Sequence, residues 1–172
     1  MILKERGLDP LPSWHEPEGT PVSAPEKTEK YPLILITGGR QQPYFVSNNR
    51  QIRSLRKREP FPLVTMHPAT AQRFGIEEGS WVWIENENGR ITQKAKLDGR
   101  MREDTVNCQM GWWYPEAGAP GYGWDESNAN ILTRISGEFD SYMGSYRMRG
   151  LLCTIYPNRD CQIEERYKKW IQ

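Results

Sequence analysis

The stretch PLVTMHPATAQRFGIEEGSWVWIENENGRITQKAKL, residues 62–97, carries most of what the chain says about its fold. Pro62 to Met66 is a short apolar run, of strand rather than helix length. Pro68 suits a first helical position, where its missing N–H costs nothing, and Gly75 suits the residue just past a helix end, where φ is positive. HPATAQRFG therefore reads as a two-turn helix. Ser80 to Glu85 alternates large apolar with small or polar residues and Arg90 to Leu97 does so more weakly, the period of a half-buried strand. Between them the Asn88-Gly89 pair is expected to turn a tight hairpin.

Working outward, Pro32 to Thr37 (PLILIT) is a continuous apolar run that ends at Gly38-Gly39, as a buried strand would. Asn49 to Glu59 places Ile52 and Leu55 on one face, with Arg50, Arg53, Arg56, Lys57 and Arg58 around it, and reads as a short amphipathic helix. Asp104 to Met110 and Leu151 to Tyr156 supply two further strands. Between them Gly111 to Asp125 is a long loop rich in aromatics and glycine, of the kind that is usually functional when it is ordered. About six short strands with one or two small helices point to a mainly β protein, a barrel rather than a βαβ sheet. Residues 1–31 hold five prolines among scattered charges and read as an extended linker, leaving 32–157 as the barrel domain and 158–172 as a C-terminal tail.

Composition sets limits on function. With 23 Lys and Arg against 22 Asp and Glu, the net charge of +1 offers no overall field for nucleic acid or a membrane surface. The basic run Arg53, Arg56, Lys57, Arg58 is brief and lacks interleaved aromatics, so no nucleic-acid partner is expected. No apolar run reaches the roughly 20 residues of a membrane helix and the first residues lack a signal-peptide core, so the chain as it stands reads as cytoplasmic, without membrane insertion. Cys108, Cys153 and Cys161 form no CxxC pair, which suits a reducing compartment. His15 and His67 lie far apart in the chain, so neither a His and Cys metal site nor a Ser-His-Asp set assembles, and no catalytic residue or metal ligand is assigned.

Five places are candidates for binding a ligand. Thr37-Gly38-Gly39-Arg40 ends a strand with exposable backbone N–H groups and a planar guanidinium, a combination suited to phosphate or a heteroaromatic edge, although neither phosphate-loop spacing is present. Ser47 and Asn48 follow with side chains that read such edges as donor and acceptor. Asn128 and Asn130 form an N-x-N pair that would point both amides to one side on an extended segment. Trp112 and Trp113 stack on a ring or join the core, and Arg149 reaches a phosphate or remains solvated. Taken alone, the residues leave each of these alternatives open.

Taken in order, PLILITGGR with YFVSNNRQ, then HPATAQRFGIEEGSWVWIENENGRI, QMGWWYPE, ESNANILT and RGLLCTIY, the chain resembles the C-terminal domain of the molybdopterin oxidoreductases of the dimethyl sulfoxide reductase superfamily. The resemblance runs from about Gly7 to about Tyr156 and includes the entering segment GLDPLPSWHEPEGTPVSAPE. It implies a six-stranded double-psi β-barrel, aspartate-decarboxylase-like in architecture, that binds bis(molybdopterin guanine dinucleotide) carrying molybdenum or tungsten. By the same resemblance, Thr37, Gly38, Gly39, Arg40, Ser47, Asn48, Asn128, Asn130 and Arg149 contact the cofactor, with Trp112 at the GWW position. The metal ligand and any iron-sulfur cysteines would come from N-terminal catalytic domains or a large partner subunit, so this chain is not expected to catalyse alone. A parent enzyme could be periplasmic. Where members of the superfamily have His, this chain has Val46 and Met110, replacing two donor-acceptor rings with apolar groups. Those two positions motivate an alternative in which the barrel is a protein-interaction adaptor that has lost its cofactor.

Overall fold

A computed structural model describes residues 2–11, 14–134, 140 and 143–168. Six strands, β1 (Leu33–Gly39), β2 (Leu63–Met66), β3 (Trp81–Asn86), β4 (Gly89–Leu97), β5 (Thr105–Gln109) and β6 (Arg149–Pro157), close into a barrel in the order β1-β5-β2-β4-β3-β6. The pairs β1/β5 and β2/β4 are parallel, and the other four contacts are antiparallel. This is the mixed six-stranded barrel that the sequence implies. Alternation drives it: Leu33, Leu35 and Thr37 of β1 point inward, and Leu33, Leu35, Val64, Met66, Ile84, Ile91, Val106, Cys108 and Ile155 fill the interior.

Short helices decorate the barrel: α1 (Ile2–Glu5), α2 (Arg53–Arg58), α3 (Pro68–Arg73), α4 (Trp124–Ser127) and α5 (Ile163–Tyr167). As read from the sequence, α3 starts at Pro68, and Gly75 just beyond it has φ +64°. The β3–β4 hairpin differs from the expectation. Asn86 pairs with Gly89, so Glu87 and Asn88 form the turn rather than Asn88-Gly89. The cause is local hydrogen bonding: Asn88 N–H donates to the Asn86 side chain at 2.9 Å, and both asparagine amides donate to the Leu132 carbonyl.

A second, aromatic core lies outside the barrel, built from Tyr44, Phe61, Trp81, Trp112, Tyr114, Ile163 and Tyr167. It corrects two readings. Residues 158–168, assigned to a tail, include α5, whose Ile163 and Tyr167 are buried in this core; the apolar pair four residues apart on one helix face explains why the segment docks. The helix expected over Asn49–Glu59 shortens to Arg53–Arg58, and Arg50 and Arg56, set around its apolar face in that reading, are fully buried. The N-terminal segment lies on the barrel, with Thr20, Ala24 and Tyr31 buried and Lys27 paired to Glu87 at 2.7 Å.

Candidate functional site

A cleft of about 590 Å³ opens beside the aromatic core. One wall is Ser47 and Gln51, from the loop after β1. The other is Gly111, Trp113 and Pro115, continuing through Gly121, Tyr122 and Trp124 to Asn128. The size is that of a pocket for a small organic ligand or part of a cofactor.

Buried arginines tie the two walls together. Arg50 is sandwiched between Tyr44 and Trp112, its guanidinium carbon 4.8 and 4.3 Å from the ring centres, and it donates to the Met110 carbonyl at 3.3 Å. Arg56 lies 5.4 Å from the Trp112 ring centre and pairs with Glu116 at 2.5 Å. Trp112 therefore sits inside a cage of two cations and two tyrosines, where ring faces take the place of hydrogen-bond acceptors. Burial pulls the Arg50 pKa down to about 10 and pushes Tyr44 up to about 12. It also raises Glu116, against the pull of Arg56. Across the cleft floor, Trp113 Nε1 donates to the Ser47 carbonyl at 2.6 Å. Gly111, at φ +61°, lets the walls approach: a Cβ there would lie 2.9 Å from Ser47 Cβ.

The strand-end turn adjoins the cleft through Met110, whose N–H donates to the Gly39 carbonyl at 3.0 Å. Gly39 is packed on β5, since a Cβ would fall 2.7 Å from the Cys108 carbonyl oxygen. The Asn107 side-chain oxygen beside it is a buried acceptor without a partner among the described residues. The exposed Arg149 brings its guanidinium to 3.9 Å from where a Gly38 Cβ would stand, and Arg40 is exposed at the end of the turn.

The residues expected from the sequence thus divide. Ser47 and Asn128 line the cleft, while Gly38, Gly39, Arg40 and Arg149 cluster at the turn. Thr37 is buried, and its hydroxyl is committed to the Met148 carbonyl at 2.6 Å. Trp112 is fully buried in the cage, so Trp113 is the tryptophan of that pair in the cleft. Asn48 and Asn130 are exposed and do not line the cleft. The N-x-N segment is not extended: Asn128 caps the 3-10 turn Ala129–Leu132 by accepting from Asn130 N–H at 3.0 Å, which separates the two amides. Gln51, Gly111, Pro115 and Asn107 escaped the sequence reading; Gly111 between the apolar Met110 and Trp112 was the signal available. Among the described residues no three His, Cys, Asp or Glu side chains cluster to hold a metal. No described helix is long and apolar enough to cross a membrane.

Comparison with known proteins places the chain in a family. Residues 33–149 match the molydopterin dinucleotide binding domain, and the chain belongs to that family. It is 37% identical to acetylene hydratase of Syntrophotalea acetylenica over 87% of its own length and 21% of that protein. It is 38% identical to dopamine dehydroxylase of Eggerthella lenta over 85% of its length and 14% of that protein. The solved structure of acetylene hydratase from Pelobacter acetylenicus superposes with a TM-score of 0.84 at 34% identity, covering 91% of this chain and 22% of that one. The chain spans between about a seventh and about a fifth of the length of these curated relatives.

Proposed function

We propose that this chain binds bis(molybdopterin guanine dinucleotide), with molybdenum or tungsten, as the C-terminal domain or a separate subunit of a larger oxidoreductase. The observation that carries the reading is the cleft, which Ser47 and Asn128 line together with aromatic rings inside the matched segment. A fused heterocycle suits such a lining, its edge read by a hydroxyl and an amide and its face covered by Trp113 or Trp124. Arg40 and Arg149 offer guanidinium forks to phosphates beside Gly38 and Gly39, where the backbone is free of side chains. The orphaned Asn107 oxygen suits a ligand N–H.

When bound, the cofactor supplies the metal centre for the chemistry, while this chain binds and orients it. Arg40 and Arg149 neutralise its phosphates, and the cleft removes its ring faces from water. The metal ligand and substrate pocket belong to catalytic domains or a large subunit outside this chain, and the three free cysteines suit a cytoplasmic setting. Thr37 and Trp112 act here through the backbone and the cage, while Asn48 and Asn130, exposed outside the cleft, are left to the parts of the cofactor that extend beyond it.

Calorimetric titration of the folded chain with the purified guanine dinucleotide cofactor tests this. Saturable heat is expected, with affinity reduced about tenfold or more in Arg149→Ala, in line with loss of a charge-assisted hydrogen bond. Absence of heat with folded protein refutes the reading and favours the adaptor suggested by Val46 and Met110.

A further inference from the structure

The aromatic wall of the cleft is built on weak local structure. Residues 118–124 contain Gly118, Gly121 and Gly123, and the chain enters left-handed backbone at Tyr122 (φ +51°) and Gly123 (φ +59°). Tyr122 and Trp124 are 41% and 48% exposed, so each ring leaves a large part of its surface in water, and Tyr122 packs edge-on against Trp113 with ring centres 5.7 Å apart. The four-residue α4 that carries Trp124 and leads into Asn128 is too short to be stable alone.

Support comes from α5, which begins beyond residue 149, where the family match ends. The Tyr167 ring stacks on Tyr114 with centres 4.5 Å apart and planes 21° from parallel. Its hydroxyl donates to Glu126 Oε1 of α4 at 2.8 Å, and Arg166 Nη1 reaches the same oxygen at 3.3 Å, with Arg166 Nη2 on Oε2. Gly123 is packed beneath them: a Cβ there would lie 3.1 Å from Tyr114 Cδ2 and 3.2 Å from the Tyr167 hydroxyl. On its other side α5 is fastened to the barrel. Ile163 is buried, and Glu164 Oε2 accepts from Lys94 Nζ of β4 at 2.9 Å and from Trp81 Nε1 of β3 at 3.4 Å. Beyond Glu126, Ser127 is locked to the barrel through its hydroxyl, which donates to the Thr92 carbonyl at 2.7 Å and contacts the Tyr114 hydroxyl at 2.8 Å.

We infer that α5 is a clasp that sets the ligand-binding geometry of the cleft, with Tyr167 as its positioning residue. Tyr167 and Arg166 hold Glu126, and through Glu126 they hold Trp124 and Asn128 in the places a bound ring would meet them. The inference rests on the proposed cofactor reading for its ligand but not for its mechanics. It makes the affinity of the cleft depend on a segment outside the matched domain.

Hydrogen exchange and cofactor calorimetry on the full chain, comparing wild type with Tyr167→Ala, Tyr167→Phe and Glu126→Gln, test the clasp. In Tyr167→Ala the amides of 118–128 should exchange about tenfold faster, with the barrel strands unchanged, because a local opening has been made easier without global loss. Cofactor affinity should fall about tenfold in parallel, and Tyr167→Phe, which keeps the stack, should recover part of both effects. A purely structural contact would raise exchange across barrel and wall alike. Unchanged exchange at 118–128 in folded Tyr167→Ala overturns the clasp. If Tyr167→Ala does not fold, the same local rise is required of Tyr167→Phe. Faster wall exchange in a protein whose wild type binds no cofactor upholds the clasp and refutes the cofactor reading. Cofactor binding that is equal in wild type and variants does the reverse.

Discussion

Replacing Arg56 with methionine should unfold much of what holds the two cleft walls together. The Arg56 side chain is fully buried and Glu116 is 4% exposed, so the pair at 2.5 Å has almost no water to fall back on. Cutting one member of such a pair typically costs about 3–5 kcal/mol, because the remaining charge stays buried without its counter-charge. Loss of the guanidinium beside Trp112 and Tyr114 falls within that figure rather than adding to it. Glu116 can relieve the cost by taking a proton, which burial already favours. With Arg56 gone, its folded-state pKa lies still further above the unfolded value of 4.5, so the folded state holds the proton more tightly. The variant should accordingly be least impaired at and below pH 4.5 and lose stability as pH rises above it.

The assay is urea unfolding followed by tryptophan fluorescence at pH 5 and pH 8, on Arg56→Met, Glu116→Gln and the double variant. At pH 8 Arg56→Met should be the least stable, with the double variant regaining part of the loss because no uncompensated charge remains. A cost below about 1 kcal/mol at pH 8, the range of exposed pairs, or a double variant no better than Arg56→Met, refutes the reasoning.

Three further outcomes follow from the geometry. Gly111→Ala should destabilise by about 1–3 kcal/mol and weaken cofactor binding, since its Cβ would meet Ser47 Cβ at 2.9 Å on a positive-φ backbone; calorimetry and a thermal melt report both. Val46 holds a β-branched side chain at φ +52°, so Val46→Asn should stabilise by about 1 kcal/mol in urea, asparagine tolerating that region far better. Burial, aided by Glu126, lifts Tyr167 to about 12. Its stabilisation is complete below pH 10 and is lost as pH climbs from 10 toward 12, so Tyr167→Phe should flatten the alkaline fall in stability measured by urea melts across that range.

Much of the barrel was legible in the chain because its signals are local. Alternation in Ser80–Glu85, the Pro68 and Gly75 brackets of α3 and the Gly38-Gly39 stop after PLILIT each act within a few residues, where backbone sterics and side-chain period decide the outcome. The hairpin turn slipped by one residue because Asn86, an equally local but less conspicuous group, captured the Asn88 amide. The site was less legible. Ser47, Asn128, Gly39 and Arg149 stood out as polar or conformationally special residues, yet the chain alone did not separate Trp112 from Trp113.

What the sequence determined by itself was a β-rich barrel with a glycine-arginine turn and an amide-bearing aromatic loop, since those follow from period, turn chemistry and residue type. Tertiary structure decided which tryptophan the cleft received, that Arg50 and Arg56 went inside, and that Ile163 and Tyr167 near the C-terminal end were buried. The physical reason is that a guanidinium is buried at tolerable cost only where partners converge on it, as Tyr44 and Trp112 do on Arg50 and Trp112 and Glu116 do on Arg56. No spacing along the chain encodes that convergence, and it appears once the barrel has brought residues 44–61, 111–127 and 163–167 together.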